Sequence, residues 1–440
     1  MKIFKEQNEV MTLTEQNCSV CAKVLLPRGE QVEVKAIEQL KSFLPLPGME
    51  KIIATPDLHP GEIIPIGTVM ASKKIYPQAI GKDINCGMRL IRLKISEEEW
   101  LKNEKQIIES LKEALCEAKR NIPIEPKAWV ELARGNGENF IQEVKNKEGI
   151  WEEFDYVSFK NGWDLSTKFH GDSNYFPQWM TSGSRLIREP GIGTLGSGNH
   201  FFEFQLLDEI IDKKLAWEKQ INHKAIYAMI HSGSRDIGSL VGGLFIDKAK
   251  ELYDKNQKKP VLYNLENEWA EKYLLAMGAA SNYAILNRSL LAEMARQSLS
   301  KILNKPIKME VITDVSHNII IKENDLFIHR KGAVQAKENQ LLLIPGSMGD
   351  FSYLVKGLGN QEWLNSCSHG AGRKMRRHTS KKEKNETSKL PFKIITNNQY
   401  RILEEKPAAY KNIDPVIESQ VEYKIIEKVA KFKPLITFKA

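Results

Sequence analysis

Nine histidines are spread along the 440-residue chain, and one sits in the stretch Asn365-Ser-Cys-Ser-His-Gly-Ala-Gly-Arg-Lys-Met-Arg-Arg377. His369 stands beside a turn of small residues, Gly370, Ala371 and Gly372, and ahead of Arg373, Lys374, Arg376 and Arg377. Glycines admit close backbone approach and offer N–H groups to oxyanions, while arginines pair with phosphate through two bonds. A histidine so placed can attack or protonate a phosphorus centre. Taken alone, the stretch fits a helix start with a solvated basic face equally well.

The other candidate residues also stand at turns. In Thr55-Pro-Asp-Leu-His-Pro-Gly61, Asp57 and His59 lie two apart at a strand end and point to one side, as a site residue and its orienting partner would. An Asx-type turn before Gly61 accounts for them as well. Asp83 and Cys86, three apart in Gly81-Lys-Asp-Ile-Asn-Cys-Gly87, can converge on one ion, since a thiolate with a carboxylate binds a borderline divalent metal. A Cys before a Gly in a strand is also ordinary core. His200 in Gly193-Thr-Leu-Gly-Ser-Gly-Asn-His-Phe-Phe-Glu203, His231 in Ala228-Met-Ile-His-Ser-Gly-Ser-Arg235 and His317 in Asp314-Val-Ser-His-Asn318 follow the same pattern. None is a self-sufficient zinc motif, and singly each reads as a hydrogen-bonded turn histidine. Together, one Cys, one Asp and three His would supply two divalent ions if the sulfur bridged them. Cys18-x-x-Cys21 lacks a second pair and is a weak metal or redox signal.

The elements that must position these residues are short strands. Apparent short strands at 52–54, 88–95, 201–204, 225–230, 309–312, 326–328 and 341–344 deliver them to turns rich in Gly, Ser and Asn, as an α/β chain does at its strand ends. Ser96-Glu-Glu-Glu99 is a capping box, and the segment 240–302 is rich in good helix formers. The stretch 121–180 reads as an excursion with short helices, whose Trp129, Trp151, Trp163 and Trp179 pack a small subcore or stack on bases. The apolar C-terminal run 434–440 reads as docked. At 42% hydrophobic and 27% charged the composition is that of a soluble globular protein, and a net charge of +8 is compatible with an anionic partner such as nucleic acid. No apolar run has signal-peptide or membrane-span length, and five cysteines fit a reducing compartment, so the expected location is cytoplasmic.

Read in order, Asp57-Leu-His59, Gly81-Lys-Asp-Ile-Asn-Cys-Gly-Met88, Gly193-Thr-Leu-Gly-Ser-Gly-Asn-His200, His231-Ser-Gly-Ser-Arg235, Ser316-His-Asn318, His329-Arg-Lys-Gly332, Pro345-Gly-Ser-Met-Gly349, Ser366-Cys-Ser-His-Gly-Ala-Gly-Arg373, Ala408-Ala-Tyr-Lys411 and Lys439 resemble the motifs of the RtcB family of GTP-dependent RNA ligases. Any one motif is weak, whereas the ordered set is specific. The resemblance implies one RtcB-like α/β catalytic domain over 1–440, with mixed short strands and helices around a central dinuclear metal cleft and 121–180 as an excursion within it. It implies that Asp83, Cys86, His200, His231 and His317 hold two Mn²⁺ ions, with Cys86 bridging. His369 would take GMP from GTP as a phosphoramidate, with Asp57 orienting its ring. Asn199, Glu203, His317, Asn318, Pro345, Gly346, Ser347, Met348, His369, Gly370, Ala371, Gly372, Tyr410 and Lys439 would surround GTP or GMP, and Arg235, Arg373 and Arg376 would meet RNA phosphates.

The implied reaction joins an RNA 2′,3′-cyclic phosphate or 3′-phosphate end to a 5′-hydroxyl end through histidyl-GMP and an activated RNA 3′-end. Both tRNA splicing and repair of nicked RNA remain open as its setting, and parts of the family work with an archease-type activator. The chain departs from the family pattern at Asn85, where Gly is usual, and in Pro60-Gly-Glu-Ile-Ile-Pro65. Two other readings are a metal-dependent RNA phosphoesterase without ligation and a non-catalytic RNA-binding protein. Retention of Tyr410 and Lys439 argues against the first, and of Cys86 and His369 against the second.

Overall fold

The turn-bounded apolar runs assemble into two main sheets in the computed structural model, which describes residues 3–6, 9–16, 18–27, 29, 31–117, 120–145, 147–253, 259–374, 392–398, 402 and 404–440. The first sheet runs β1 (Ile3–Glu6), β2 (Val10–Leu13), β3 (Ala22–Leu25), β4 (Met49–His59), β5 (Ile66–Ser72), β11 (Leu326–Lys331) and β10 (Asn318–Glu323). The second runs β13 (Leu341–Ile344), β14 (Ser352–Gly357), β17 (Ile426–Lys439), β7 (Phe201–Ile210), β8 (Ile226–Ser232), β6 (Gly87–Leu93) and β9 (Met309–Ser316), with β16 (Lys393–Thr396) parallel to the end of β17. A small ribbon pairs β12 (Ala333–Gln335) with β15 (Ser366–Ser368). The architecture is mixed α/β, as the strand and helix patterns imply.

Strands β6 and β8 are buried along their whole length; β8 reads as an apolar run, whereas β6 carries Arg89 and Arg92 into the interior, Arg89 paired with Asp314 at 2.6 Å. The four neighbours β7, β8, β6 and β9 are antiparallel, with Phe201 and Met88 opposite His231 and Gly87 opposite Ser316. This register brings the residues before β7 and β6, the end of β8 and the residue after β9 to one edge. Those residues are His200, Cys86, His231 and His317. In the first sheet, the five steps from Ala54 to His59 on β4 face only two from Thr68 to Ile66 on β5. The resulting bulge re-aims Asp57, a use of bulges that recurs beside active sites.

The capping box forms as expected: Ser96 Oγ accepts the Glu99 N–H at 3.1 Å and Glu99 Oε2 accepts the Ser96 N–H at 3.0 Å. The helical segment divides into Arg235–Glu251 and the 37-residue Asn267–Leu303, which is buried on all sides from 276 to 296. A helix buried all round shows no amphipathic stripe, so only its residue types betray it. In 121–180, Trp129, Trp151 and Trp163 are buried and Trp129 stacks on Tyr283 of the long helix at 5.9 Å. They belong to the largest hydrophobic core instead of forming a separate subcore. The C-terminal strand lies between β14 and β7, docked as its sequence suggests. Among the described residues, no helix is long and apolar enough to cross a membrane.

Candidate active site

His369 leaves the end of β15 and turns toward the β4 bulge. Its Nδ1 lies 2.6 Å from Asp57 Oδ2, and its backbone N–H also points to that oxygen at 3.2 Å. A carboxylate only accepts, so in the neutral ring Nδ1 carries the proton and Nε2 the lone pair. Thr55 Oγ1 donates to the other carboxylate oxygen at 2.5 Å. Burial works to raise the Asp57 carboxyl, but His369 and then Thr55 hold it below the usual carboxylate range. The aspartate therefore orients His369; His59, its expected local partner, instead sets Nδ1 2.9 Å from the Asp57 carbonyl. Gly372, at φ +74°, admits the close approach of its chain to the bulge, since a Cβ there would lie 2.3 Å from the Asp57 carbonyl oxygen. Buried Lys411 braces the same bulge by donating to the carbonyls of Pro56 and Leu58, each at 2.9 Å. The segment 366–374 is strand and turn, not a helix start.

Facing this pair is a cluster of five side chains. Cys86 Sγ lies 3.1 Å from both His200 Nε2 and His231 Nε2, His200 Nε2 lies 3.0 Å from Asp83 Oδ2, and His231 Nε2 lies 3.3 Å from His317 Nε2. The rings of His317 and His369 are 4.9 Å apart, which joins the cluster to the histidine–aspartate pair. His231 gives its Nδ1 proton to the Asn199 carbonyl at 3.0 Å, so its Nε2 faces sulfur and a second imidazole nitrogen with a lone pair. Burial pushes His231 and His317 well below the ordinary imidazole range, which favours neutral rings. Burial, followed by Asp83, pushes the Cys86 thiol up. Burial also works to raise Asp83, but His200 holds it low. Crowded lone pairs of this kind are satisfied by a cation, and the mixed S, N and O donors suit a borderline divalent metal. Gly233 leaves room for the cluster, because a Cβ there would lie 2.2 Å from Asp83 Oδ1.

The cleft between pair and cluster encloses about 300 Å³. Asp83, Cys86, Asn199, His231, His317, Asn318, Pro345, Gly346, Ser347, Met348, His369, Gly370, Ala371, Gly372, Arg373, Tyr410 and Lys439 all line it. Glu203 lies just behind, buried, with Thr437 donating to one oxygen and Gln205 to the other at 2.6 Å. Burial raises its carboxyl to about 7. Arg373 is engaged by the protein: it donates to Tyr410 Oη at 3.1 Å and to the Glu404 carbonyl at 2.7 Å, and pairs with Glu405 at 3.2 Å. Arg235, at φ +52°, donates through Nε to Thr194 Oγ1 at 3.0 Å. Arg376 lies outside the described residues.

Two charged cleft residues had no role assigned from sequence, Lys331 and Glu405. Lys331 donates to the Ile80 carbonyl at 2.9 Å, and Asp83 and Cys86 partly offset the lowering that burial imposes on it. Its signal was the motif His329-Arg-Lys-Gly332. In that motif His329 is structural: its Nε2 accepts the Tyr76 N–H at 3.0 Å and its Nδ1–H donates to the Phe327 carbonyl at 3.0 Å. Cys18 donates to the Leu44 carbonyl at 3.2 Å, and neither it nor Cys21 joins a metal-ligand group among the described residues.

An imidazole oriented by a carboxylate and set against a cluster of metal-type donors in one cleft is the equipment of an enzyme active site. The sequence matches the RtcB family model, described as tRNA-splicing ligase RtcB, over residues 39–440, and the chain belongs to that family. It is an enzyme of the RtcB ligase type. It is 31% identical to the RNA-splicing ligase RtcB of Escherichia coli over 97% of this chain and 98% of that protein. The tRNA-splicing ligase RtcB of Methanococcus maripaludis is 30% identical over 92% of each chain, and RNA-splicing ligase RtcB homolog 1 of Entamoeba histolytica is 31% identical over 92% of this chain and 83% of its own.

Proposed function

We propose that the protein is a GTP- and Mn²⁺-dependent RNA ligase that joins a 2′,3′-cyclic phosphate or 3′-phosphate end to a 5′-hydroxyl end. The observation that carries the reading is the 2.6 Å Asp57–His369 pair opening on the same cleft as the Cys86 cluster. His369 Nε2 attacks the α-phosphorus of GTP, forming an N–P bond as pyrophosphate leaves. Asp57 holds the ring in position and balances the charge it acquires. Asn199 and the turn 370–372 hold phosphate, while Glu203, Ser347, Tyr410 and Lys439 surround guanine and ribose. Where the RNA ends in a 2′,3′-cyclic phosphate, water first adds to phosphorus and the P–O2′ bond breaks, leaving a 3′-phosphate; that phosphate takes the GMP from His369, and the 5′-hydroxyl oxygen attacks the activated phosphate and releases GMP. Arg235, Arg373 and Arg376 meet RNA phosphates.

Asp83, Cys86, His200, His231 and His317 would hold two Mn²⁺ ions, which supply charge stabilisation at phosphoryl oxygens. The whole chain acts as one catalytic domain, with 121–180 as an excursion within it, in the cytoplasm, alone or with an archease-type activator. The test is to incubate an oligonucleotide ending in a 2′,3′-cyclic phosphate and one beginning with a 5′-hydroxyl with protein, GTP and Mn²⁺. A joined product that requires GTP supports the reading. Opening of the cyclic phosphate without joining would replace it with the phosphoesterase.

A further inference from the structure

Residues 283–288 of the long helix Asn267–Leu303 reach three of the four segments that carry the cluster: the loop before His200, the turn after His231 and Asn85 beside Cys86. The Tyr283 hydroxyl donates to Glu189, whose carboxylate accepts the N–H groups of Gly191 at 3.0 Å and Ile192 at 2.6 Å. Asn287 Oδ1 accepts the N–H groups of Gly193 at 2.7 Å and Thr194 at 3.2 Å. Its Nδ2 faces the Thr194 carbonyl and Ser232 Oγ, both at 3.0 Å, and the Gly233 carbonyl at 3.3 Å. Arg288 donates to the carbonyl and side-chain oxygens of Asn85, at 2.9 and 3.1 Å, and to the Ser232 carbonyl at 3.1 Å. Asn287 and Arg288 are both fully buried.

Turn backbone has no ladder partners, so when it is buried its N–H and C=O groups must be met by side chains. An asparagine amide offers acceptor and donor sides at once, and Asn287 uses both to clasp the loop leading to His200 against the turn after His231. Asparagine is a poor helix former, so helix propensity does not explain it at the centre of the helix. We propose that Asn287 is a positioning residue for the metal cluster: it fixes the distance between the two segments whose imidazoles converge on Cys86. This inference rests on the reading of the cluster as a divalent-metal site.

The same helix provides a matched control. Asn282 is also fully buried, but its amide donates to the carbonyls of Ala133 at 3.1 Å and Phe169 at 3.0 Å, away from the cluster. Mn²⁺ binding to metal-stripped protein, followed by electron paramagnetic resonance of the free ion, is compared in wild type, Asn287→Ala and Asn282→Ala, with thermal melting of each. Asn287→Ala is expected to weaken Mn²⁺ binding roughly tenfold or more, the range seen when groups supporting metal ligands are removed. Asn282→Ala should lower the melting temperature while binding Mn²⁺ as wild type does. If Asn287→Ala does not fold, Asn287→Asp, which keeps the acceptor but loses the donor, is expected to show the weakening. Wild-type affinity in the folded Asn287 variant, or equal weakening in both helix variants, would overturn the inference. Absence of Mn²⁺ binding in wild type would overturn the metal reading itself and the inference with it.

Discussion

His369 and Asp57 are 312 positions apart in sequence and 2.6 Å apart in space. Their pairing fixes which ring nitrogen keeps its lone pair, so changing the carboxylate changes the tautomer more than the fold. Asp57→Asn is expected to slow transfer of GMP to the protein roughly 10²–10⁴-fold, the scale of an orienting or proton-accepting group. Single-turnover labelling with α-labelled GTP measures this, and an unchanged rate would remove Asp57 from its role. Glu203 gives a second prediction. Burial raises its carboxyl from 4.5 to about 7, so the folded state favours the protonated form. The stability this contributes is fully present below about pH 4.5 and is lost as pH rises through about 7. Guanine offers two N–H donors that a carboxylate accepts, so guanosine should bind more tightly at about pH 8 than at about pH 6. Titration calorimetry checks it: Glu203→Gln should flatten the pH dependence, and a flat wild-type profile would contradict the assignment.

At the scale of elements, the turns were the legible part. Cys86, His200, His231 and His317 each stand in a Gly, Ser or Asn turn next to an apolar run, and period and turn chemistry mark such places in sequence. The order β7, β8, β6, β9 was not legible, because it is set by non-local pairing that no local pattern encodes. Nor were Tyr283, Asn287 and Arg288, since polar residues in a helix read as a solvated face until burial is known. Asn85 suits its place beside Cys86. It takes the left-handed conformation at φ +52°, which asparagine tolerates, and its side chain adds a bond to Arg288. Asn85→Gly should therefore cost about 1–2 kcal/mol through the lost bond to a charged partner. Asn85→Ala should cost about 1 kcal/mol more, because alanine lacks the bond and also resists that backbone conformation. Denaturant unfolding orders the three proteins, and alanine at least as stable as glycine would contradict this account.

Across the whole molecule, the cleft has two complementary halves: the bulged β4 and the β12–β15 ribbon present Asp57 and His369, and the strand ends of the second sheet present the Cys86 cluster. The ordered motifs carried that division because each half is rich in turn signals. Glu405 was missed because a single charged residue in sequence looks like surface until the cleft closes around it, and the motif holding Lys331 did not reveal which way that side chain points. A metal that binds only the folded cluster should stabilise the molecule, by about 2.7 kcal/mol at a hundredfold excess over its dissociation constant. Melting temperature should therefore rise with added Mn²⁺ in wild type and not in Cys86→Ala; parallel curves for the two would count against the cluster as the binding site. The most direct test of the central claim is covalent. Protein incubated with Mn²⁺ and α-labelled GTP, then run on a denaturing gel, should carry a label that survives alkali, is lost in acid and is absent from His369→Ala. A label retained by His369→Ala, or no label on a wild-type protein that binds both metal and GTP, would contradict it.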